Sequence, residues 1–213
     1  QGKKIAQRAG SSCCARAQGA PAAWLDLAAP FIHYLRREVP AVGVVELVPY
    51  DASWVMAYDA DCAVVCEALG AELGCIDHIG STSIPGMCAK PIIDIAAVVP
   101  DFSLLSEAVN GRLARIGYEY VPHSEFLQRR FYRRGPWGAG SHHLHIYELG
   151  SEGWKQVIVF RDYLRAHPEA AGEYARLKLQ LAQQCETRAA YTSAKGPFVE
   201  TILQRAATWR RPG

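Results

Sequence analysis

The sequence lacks several features that would assign it to a class at sight. No apolar run approaches the roughly 20 residues that cross a bilayer, and residues 1–23 lack the apolar core of a secretory signal. The expectation is therefore a protein with no membrane segment that works in the cytoplasm. No GxxxxGK[ST] loop occurs, which excludes a P-loop kinase for this chain. Seven cysteines are present, Cys13, Cys14, Cys62, Cys66, Cys75, Cys88 and Cys185, but no CxxC pair that would supply half of a zinc ribbon. An odd, scattered set reads as reduced thiols in a reducing compartment. A dominant charge sign is also missing. The chain has 23 Lys and Arg against 21 Asp and Glu, and a net charge of +2 does not mark a dedicated nucleic-acid binder.

What is present suits one buried domain with an appendage. The chain has 213 residues, half of them hydrophobic and 21% charged, which is ordinary globular usage. Residues 1–43 read as an extension. Its first 23 residues are rich in Ala, Gly, Ser and Gln, carry Lys3, Lys4, Arg8 and Arg16, and contain no acid. They read as a floppy, partly disordered basic tail, with a transit-peptide remnant or a misassigned start as alternatives. Over 24–37, the residues Trp24, Leu25, Ala28, Ile32 and Leu35 recur at helical spacing and predict a short amphipathic helix. Residues 44–208 then form the domain proper.

Within that domain, 44–48 is a β-type run and 51–73 a helix with Ser53 as its cap. A brief strand at 76–79 runs into Gly80 and Ser81, and 92–99 is an apolar strand suited to burial on both faces. A helix over 104–116, a strand over 118–121, the basic aromatic segment 129–134 and an alternating strand at 142–148 follow. Helices over 154–166, 168–185 and 194–207 finish the chain. Strands mixed with early helices and closed by a helical tail predict an α+β (mixed α/β) domain.

The chemistry concentrates in HIGSTSIPGMCAKPIIDI at 78–95. A Gly-Ser turn straight after a strand offers backbone N–H groups and a hydroxyl to anionic oxygens. Lys90 leads into a strand whose only charge is Asp94, and a carboxylate there is costly unless paired or bound to a metal. Asp94 therefore either faces a cleft or pairs with an arginine such as Arg130. In HHLHIYE, alternation puts His143, His145 and Tyr147 on one face and His142, Leu144, Ile146 and Glu148 on the other. Histidines two apart on a strand can share one divalent ion or contact one phosphate. RRFYRR splits into rows Arg129, Phe131, Arg133 and Arg130, Tyr132, Arg134, either an anion-binding wall or a basic edge strand. In YTSAKGPF, Lys195 lies four residues after Tyr191, within reach of an anion or on a helix surface.

The segments VELVPYDASW, HIGSTSIPGMCAKPIIDI, RRFYRR, HHLHIYELGSEGW, FRDYLRAHPEAAGEYARLK and YTSAKGPF, in that order, resemble the GrpB (UPF0157-like) family from about 44 to 207. The resemblance implies a nucleotidyltransferase-like fold, a small mixed sheet flanked by helices with a helical C-terminal tail. It implies Gly80 and Ser81 as the phosphate-cradling turn, with His78 and Thr82 beside it, and Asp94 as the first metal carboxylate. Lys90, Arg130, Arg133 and Lys195 are expected to meet phosphate, Arg130 and Arg133 being preferred by the resemblance. His143 and His145 join Asp94 as catalytic and metal-binding residues, with Mg2+ or Mn2+ as the ion and a nucleotide plus an unknown small-molecule or protein acceptor as partners. The superfamily pattern places a second acid two residues after the first, and this chain has Ala96 there. Either His143, His145 or Glu148 completes the site, or transfer is absent and the domain is an inactive nucleotide- or anion-binding module. A His/Asp zinc hydrolase is a third reading. Some members of the family are joined to dephospho-CoA kinase, which suggests a link to that enzyme.

Overall fold

The computed structural model describes residues 45–122, 128–136 and 139–209, so the tail and the helix expected within 1–43 lie outside the described residues. The first helix, α1, is Ser53–Leu69, with Trp54, Tyr58, Asp61, Cys62, Val65, Ala68 and Leu69 on its buried side. Ser53 does not cap it. The Asp51 carboxylate accepts from the Ser53 N–H at 2.8 Å, and Ser53 is the first helical residue. Gly70, at φ +58°, ends the helix where a side chain would be strained.

The strands are β1 (Cys75–Ile79), β2 (Ile93–Val99), β3 (Tyr118–Tyr120), β4 (Arg129–Arg134) and β5 (His142–Glu148). They form one mixed sheet in the order β1-β2-β5-β4-β3, in which β2 and β5 are parallel and the other pairs antiparallel. Every residue of β2 except Asp94 is buried, as expected of a central strand covered on both faces. In the run expected as a strand at 44–48, the described residues make an isolated bridge, Val48 to Ala89.

Helix α2 (Glu107–Arg115) begins later than its apolar pattern predicts, because a short turn at Phe102–Leu104 precedes it and the Ser106 hydroxyl accepts from the Val109 N–H at 3.4 Å. After β5 come α3 (Glu152–Ala166), α4 (Pro168–Gln184), α5 (Arg188–Ala194) and α6 (Gly196–Ala207). Helix α5 was not expected; the Thr187 hydroxyl caps it by accepting from the Ala190 N–H. The α+β expectation, with a small mixed sheet, flanking helices and a helical tail, holds. Among the described residues no helix is long and apolar enough to cross a membrane.

The two sheet faces are covered differently, and this creates the site. One face, with Ile76, Ile95, Ala97, Val99, Leu144, Ile146 and Tyr132, forms a continuous core with α1 and α2. Each fully buried Ile, Leu or Val among them contributes about 1.5–3 kcal/mol. On the other face Ile79, Ala96, Val98 and Tyr147 are buried with Ile158 of α3, and Trp154 and Val157 of the same helix pack beside them. The C-terminal helices pack on one another and on the loop residues Ile84, Met87 and Cys88. Two arginines of α3 fasten that layer to the end of β1: Arg161 donates to Asp77 at 2.9 Å and to the His78 carbonyl at 3.0 Å, and Arg165 donates twice to the Ser83 carbonyl. The remainder of this sheet face, toward β4, is left for a cleft.

Candidate functional site

The sheet register decides which side chains meet. Asp94 lies opposite His143 across the parallel pair, and Ala96 opposite His145. Across the β4/β5 pair, Phe131 lies opposite His145, Arg129 opposite Tyr147 and Arg133 opposite His143. Partners in register share a face, so Asp94, His143, His145, Arg129, Phe131 and Arg133 stand on the side that α3 leaves partly open.

There Asp94 Oδ1 is 3.1 Å from His143 Nδ1 and 3.8 Å from His145 Nε2. One ligand atom from each of the three residues lies within 4.8 Å of the other two. The Phe131 ring is 5.1 Å from each imidazole and lies nearly parallel to His145. Burial pushes the Asp94 carboxyl up, but hydrogen bonds and charge from the two histidines outweigh burial and hold it well below the usual carboxylate range. Burial pushes His145 down, against the pull of Asp94. Metal ligation requires an anionic carboxylate, and two nitrogens and an oxygen at this spacing fit one divalent ion.

Gly80 brings the Gly-Ser turn against this cluster. It adopts φ +69° and ψ −172°, and a Cβ there would sit 2.9 Å from Asp94 Cβ and 3.0 Å from Asp94 Cγ. Only glycine allows that approach. The Ser83 hydroxyl donates to the Gly80 carbonyl at 2.6 Å and closes the turn.

Facing the cluster across a cavity of about 330 Å³ is a cationic wall. Lys178 of α4 is 2% exposed. It donates to Ser81 Oγ at 3.0 Å and to the Cys88 carbonyl, and lies 4.9 Å from the Tyr174 ring centre. Lys195, 4.6 Å from the centre of the Tyr191 ring, and Lys90, 5.7 Å from it, share that ring. Burial pushes Lys178 down to about 7, slightly offset by Cys88 and reinforced by Lys195. Burial, then the charge of Lys90, pushes Lys195 down to about 8. Burial likewise lowers Lys90, against Asp94. Four cationic side chains, counting Arg129, line the cavity against the single carboxylate of Asp94.

The structure gathers Asp94, His143, His145, Ser81, Thr82, Lys90 and Lys195 around one cavity, with Gly80 against Asp94. It separates four residues expected with them. Arg130 lies opposite Ile146, on the other sheet face from Asp94 and the cleft, with its guanidinium 4.2 Å from the centre of the Phe102 ring. His78 also faces the other way. Its ring stacks on Tyr58 at 4.7 Å, and Nε2 lies 3.0 Å from Thr82 Oγ1, so it supports the turn from behind. Thr82 is 1% exposed and its hydroxyl is shared between His78 and the Ile92 carbonyl. Arg133 shares the site face but donates to Glu119 at 2.7 Å and does not line the cavity. Glu148 is on the opposite face, accepting from the Phe102 N–H at 3.0 Å, and completes no metal set.

Two functional candidates escaped the sequence reading. Arg129 was placed in the correct row, but which row faces the cleft depends on pairing with β5. Lys178 did leave a signal: with Ala171, Tyr174 and Ala175 it completes an i, i+3, i+4, i+7 stripe, so a lysine occupies a position that helical periodicity reserves for the core.

Residues 44–205 match the GrpB protein family. The UPF0157 protein YqkA of Bacillus subtilis is 36% identical over 168 residues, 78% of this chain and 48% of its own length. A dephospho-CoA kinase of Mycolicibacterium paratuberculosis is 28% identical over 217 residues, 90% of this chain and 53% of that protein. This chain thus spans about half the length of each. The crystal structure of GrpB from Enterococcus faecalis superposes with a TM-score of 0.69 and 32% identity, over 76% of this chain and 96% of that one. The likeness to the poly(U) polymerase Cid1 is one of outline, at 9% identity and a TM-score of 0.43. With the match over 44–205 and the Enterococcus faecalis structure alongside, the chain belongs to the GrpB family.

Proposed function

We propose that the cleft binds the polyphosphate of a nucleotide together with a divalent cation, Mg2+ or Mn2+ being the first to test, and that the protein transfers the nucleotidyl group to a small-molecule or protein acceptor. One observation carries this reading: three buried or half-buried lysines line the same cavity as the Asp94, His143 and His145 set, with the Gly80–Ser81 turn between them. Burying like charges together is unfavourable in the empty cleft and becomes favourable around a polyanion. Lys178 and Ser81 would hold the terminal phosphates, Lys195 and Lys90 would neutralise charge beside them, and Arg129 would approach from the sheet. Asp94, His143 and His145 would hold the cation, which when bound neutralises phosphate charge and fixes orientation. In the transfer, the acceptor oxygen bonds to the α-phosphorus, the bridge to the β-phosphate breaks, pyrophosphate departs and the acceptor's proton is lost to solvent. The thiols of the five described cysteines support a reducing, cytoplasmic setting.

The test is a thermal-shift titration with a nucleotide panel, with and without Mg2+ or Mn2+, on the intact chain and on Asp94→Asn. A nucleotide at a hundred times its Kd adds about 2.7 kcal/mol, or about 5–11 °C for a domain of this size. A cation-dependent rise that vanishes in Asp94→Asn supports the reading. A cooperative transition unmoved by every nucleotide defeats it.

Ala96 favours a second reading. By the resemblance it stands where nucleotidyltransferases place a second metal carboxylate, and it is fully buried, so on this reading the site holds half of that acidic pair. On this reading the domain binds a nucleotide or another anion without turnover and regulates a partner enzyme such as a dephospho-CoA kinase. Pyrophosphate release separates the two: nucleotide binding without release, across a panel of acceptors, selects the regulatory module.

A further inference from the structure

We infer that the Asp94, His143 and His145 set takes a single borderline transition-metal ion of the Mn2+, Co2+ or Zn2+ kind and takes Mg2+ poorly; the inference rests on the reading above that these three residues are metal ligands. The first argument is donor chemistry. The set offers two imidazole nitrogens and one carboxylate, converging on Asp94 Oδ1 at 3.1 Å and 3.8 Å. Mg2+ demands near-octahedral oxygen donors and parts with water reluctantly, so a site with one protein oxygen holds it weakly. Imidazole suits the first-row transition ions, whose affinities for such donors rise from Mn2+ through Co2+.

The second argument is that a second ion has nothing to hold it. Along the row that crosses β1, β2 and β5, Asp77, Ala96 and His145 stand side by side. Ala96 contributes no donor. Asp77 is the one carboxylate on that row, and Arg161 holds it at 2.9 Å while anchoring the His78 carbonyl at 3.0 Å. Releasing Asp77 toward the cleft would cost a guanidinium that is 8% exposed one of its two carboxylate partners, leaving it Asp162 at 2.6 Å. Among the described residues no other group of three His, Cys, Asp or Glu side chains has ligand spacing. The charge that a second ion would supply falls instead to Lys90, Lys178 and Lys195, which line the same cavity.

The third argument is the wall. Phe131 lies 5.1 Å from both imidazoles, T-shaped to His143 and stacked at 29° on His145, so packing on the phenyl ring favours the orientation in which both rings face Asp94. A preoriented nitrogen pair sharpens selection for an ion that prefers nitrogen.

The experiment uses the full chain stripped of metal with a chelator. Mn2+ is titrated in while the EPR signal of the free ion is followed, and Zn2+ or Mg2+ is then added as competitor. The expected result is one Mn2+ per chain, displaced by Zn2+ at similar or lower concentration and by Mg2+ only at about a hundredfold excess or more. Co2+ should give visible absorption bands characteristic of nitrogen ligation. His143→Gln and, separately, His145→Gln should each weaken Mn2+ at least about tenfold, with far-UV circular dichroism unchanged. Mg2+ competing at equal concentration, two ions per chain, or folded glutamine variants that bind Mn2+ as tightly as the parent would each overturn the inference. Tight single-site Mn2+ binding in a protein that no nucleotide stabilises would support it while defeating the nucleotide reading, so the two fail separately.

Discussion

Replacing Lys178 by methionine should make the protein more stable at neutral pH and less able to hold a polyanion. The Lys178 ammonium is 2% exposed and its partners are a hydroxyl, a carbonyl and an aromatic ring, with no carboxylate among them. Burial pushes its ionisation from 10.5 to about 7, which corresponds to about 5 kcal/mol of disfavoured charging, of which about 4 kcal/mol remains at pH 7. The unfolded chain binds a proton between pH 7 and 10.5 that the folded chain refuses, so the stability of the parent rises with pH across that window. Methionine removes the penalty and keeps the apolar stem, but leaves the buried Cys88 carbonyl without its donor, at a cost of about 2 kcal/mol. The variant should therefore be about 2 kcal/mol more stable at pH 7. At pH 10 the penalty has fallen to about 1 kcal/mol and the order reverses, the variant becoming about 1 kcal/mol less stable. Urea unfolding of both chains at pH 7, 8.5 and 10 reads the difference directly, and other alkaline titrations cancel in the comparison. A pH-independent difference, or a variant less stable at pH 7, would refute the assignment of Lys178 as an uncompensated buried charge. Loss of any nucleotide-induced thermal shift in the same variant would complete the trade of stability for binding.

Two further substitutions test the turn from its two sides. Gly80→Ala forces a side chain into a backbone region open essentially to glycine alone and against the Asp94 carboxylate; it should cost about 1–3 kcal/mol, lower the melting temperature by about 2–12 °C and weaken Mn2+ binding, and an unchanged urea midpoint would contradict the geometry. His78 is held neutral by burial, helped by Arg165, with its ionisation pushed down to about 3; the unfolded chain therefore takes up a proton between pH 6.5 and 3 that the fold rejects, and stability drains away as pH falls. By pH 4 the loss amounts to about 3 kcal/mol, and His78→Gln, compared with the parent by urea unfolding at pH 7 and pH 4, should lack that share of the acid sensitivity.

Local pattern carried most of the architecture. The two-residue period of 142–148 matched β5 residue for residue, and the run after Pro91, apolar except for Asp94, matched a central strand covered on both sides. Boundaries slipped where a turn competes with a helix. Apolar residues at 104 and 105 extend the helical pattern upstream, but Asp101 accepts from the Ser103 N–H at 2.7 Å and Ser106 caps the next turn, so α2 starts at Glu107. Helix α5 was missed for a related reason. Seven residues without an apolar stripe give periodicity little to detect, and the helix depends on its Thr187 cap and on the burial of Tyr191.

The site was legible where chemistry is local and illegible where it depends on pairing. Asp94 stood out because a carboxylate in an apolar strand demands a partner, and alternation alone grouped His143 with His145. No local rule could decide between Arg129 and Arg130. Each is one step from the other along an alternating strand, and the choice is made by the β4/β5 register, which sets Phe131 rather than Tyr132 opposite His145. Shifting that register by one residue would carry Arg130 into the cleft and bury Phe131 in the core in place of Tyr132, whose hydroxyl donates to Asn110 at 2.7 Å. The tyrosine therefore selects the arginine. Arg134 strengthens the selection, because in the observed register it reaches the buried Asp61 carboxylate and stacks on Tyr118. Those contacts lie on the far face of the sheet, so the composition of the cleft is decided largely by what the opposite face must satisfy.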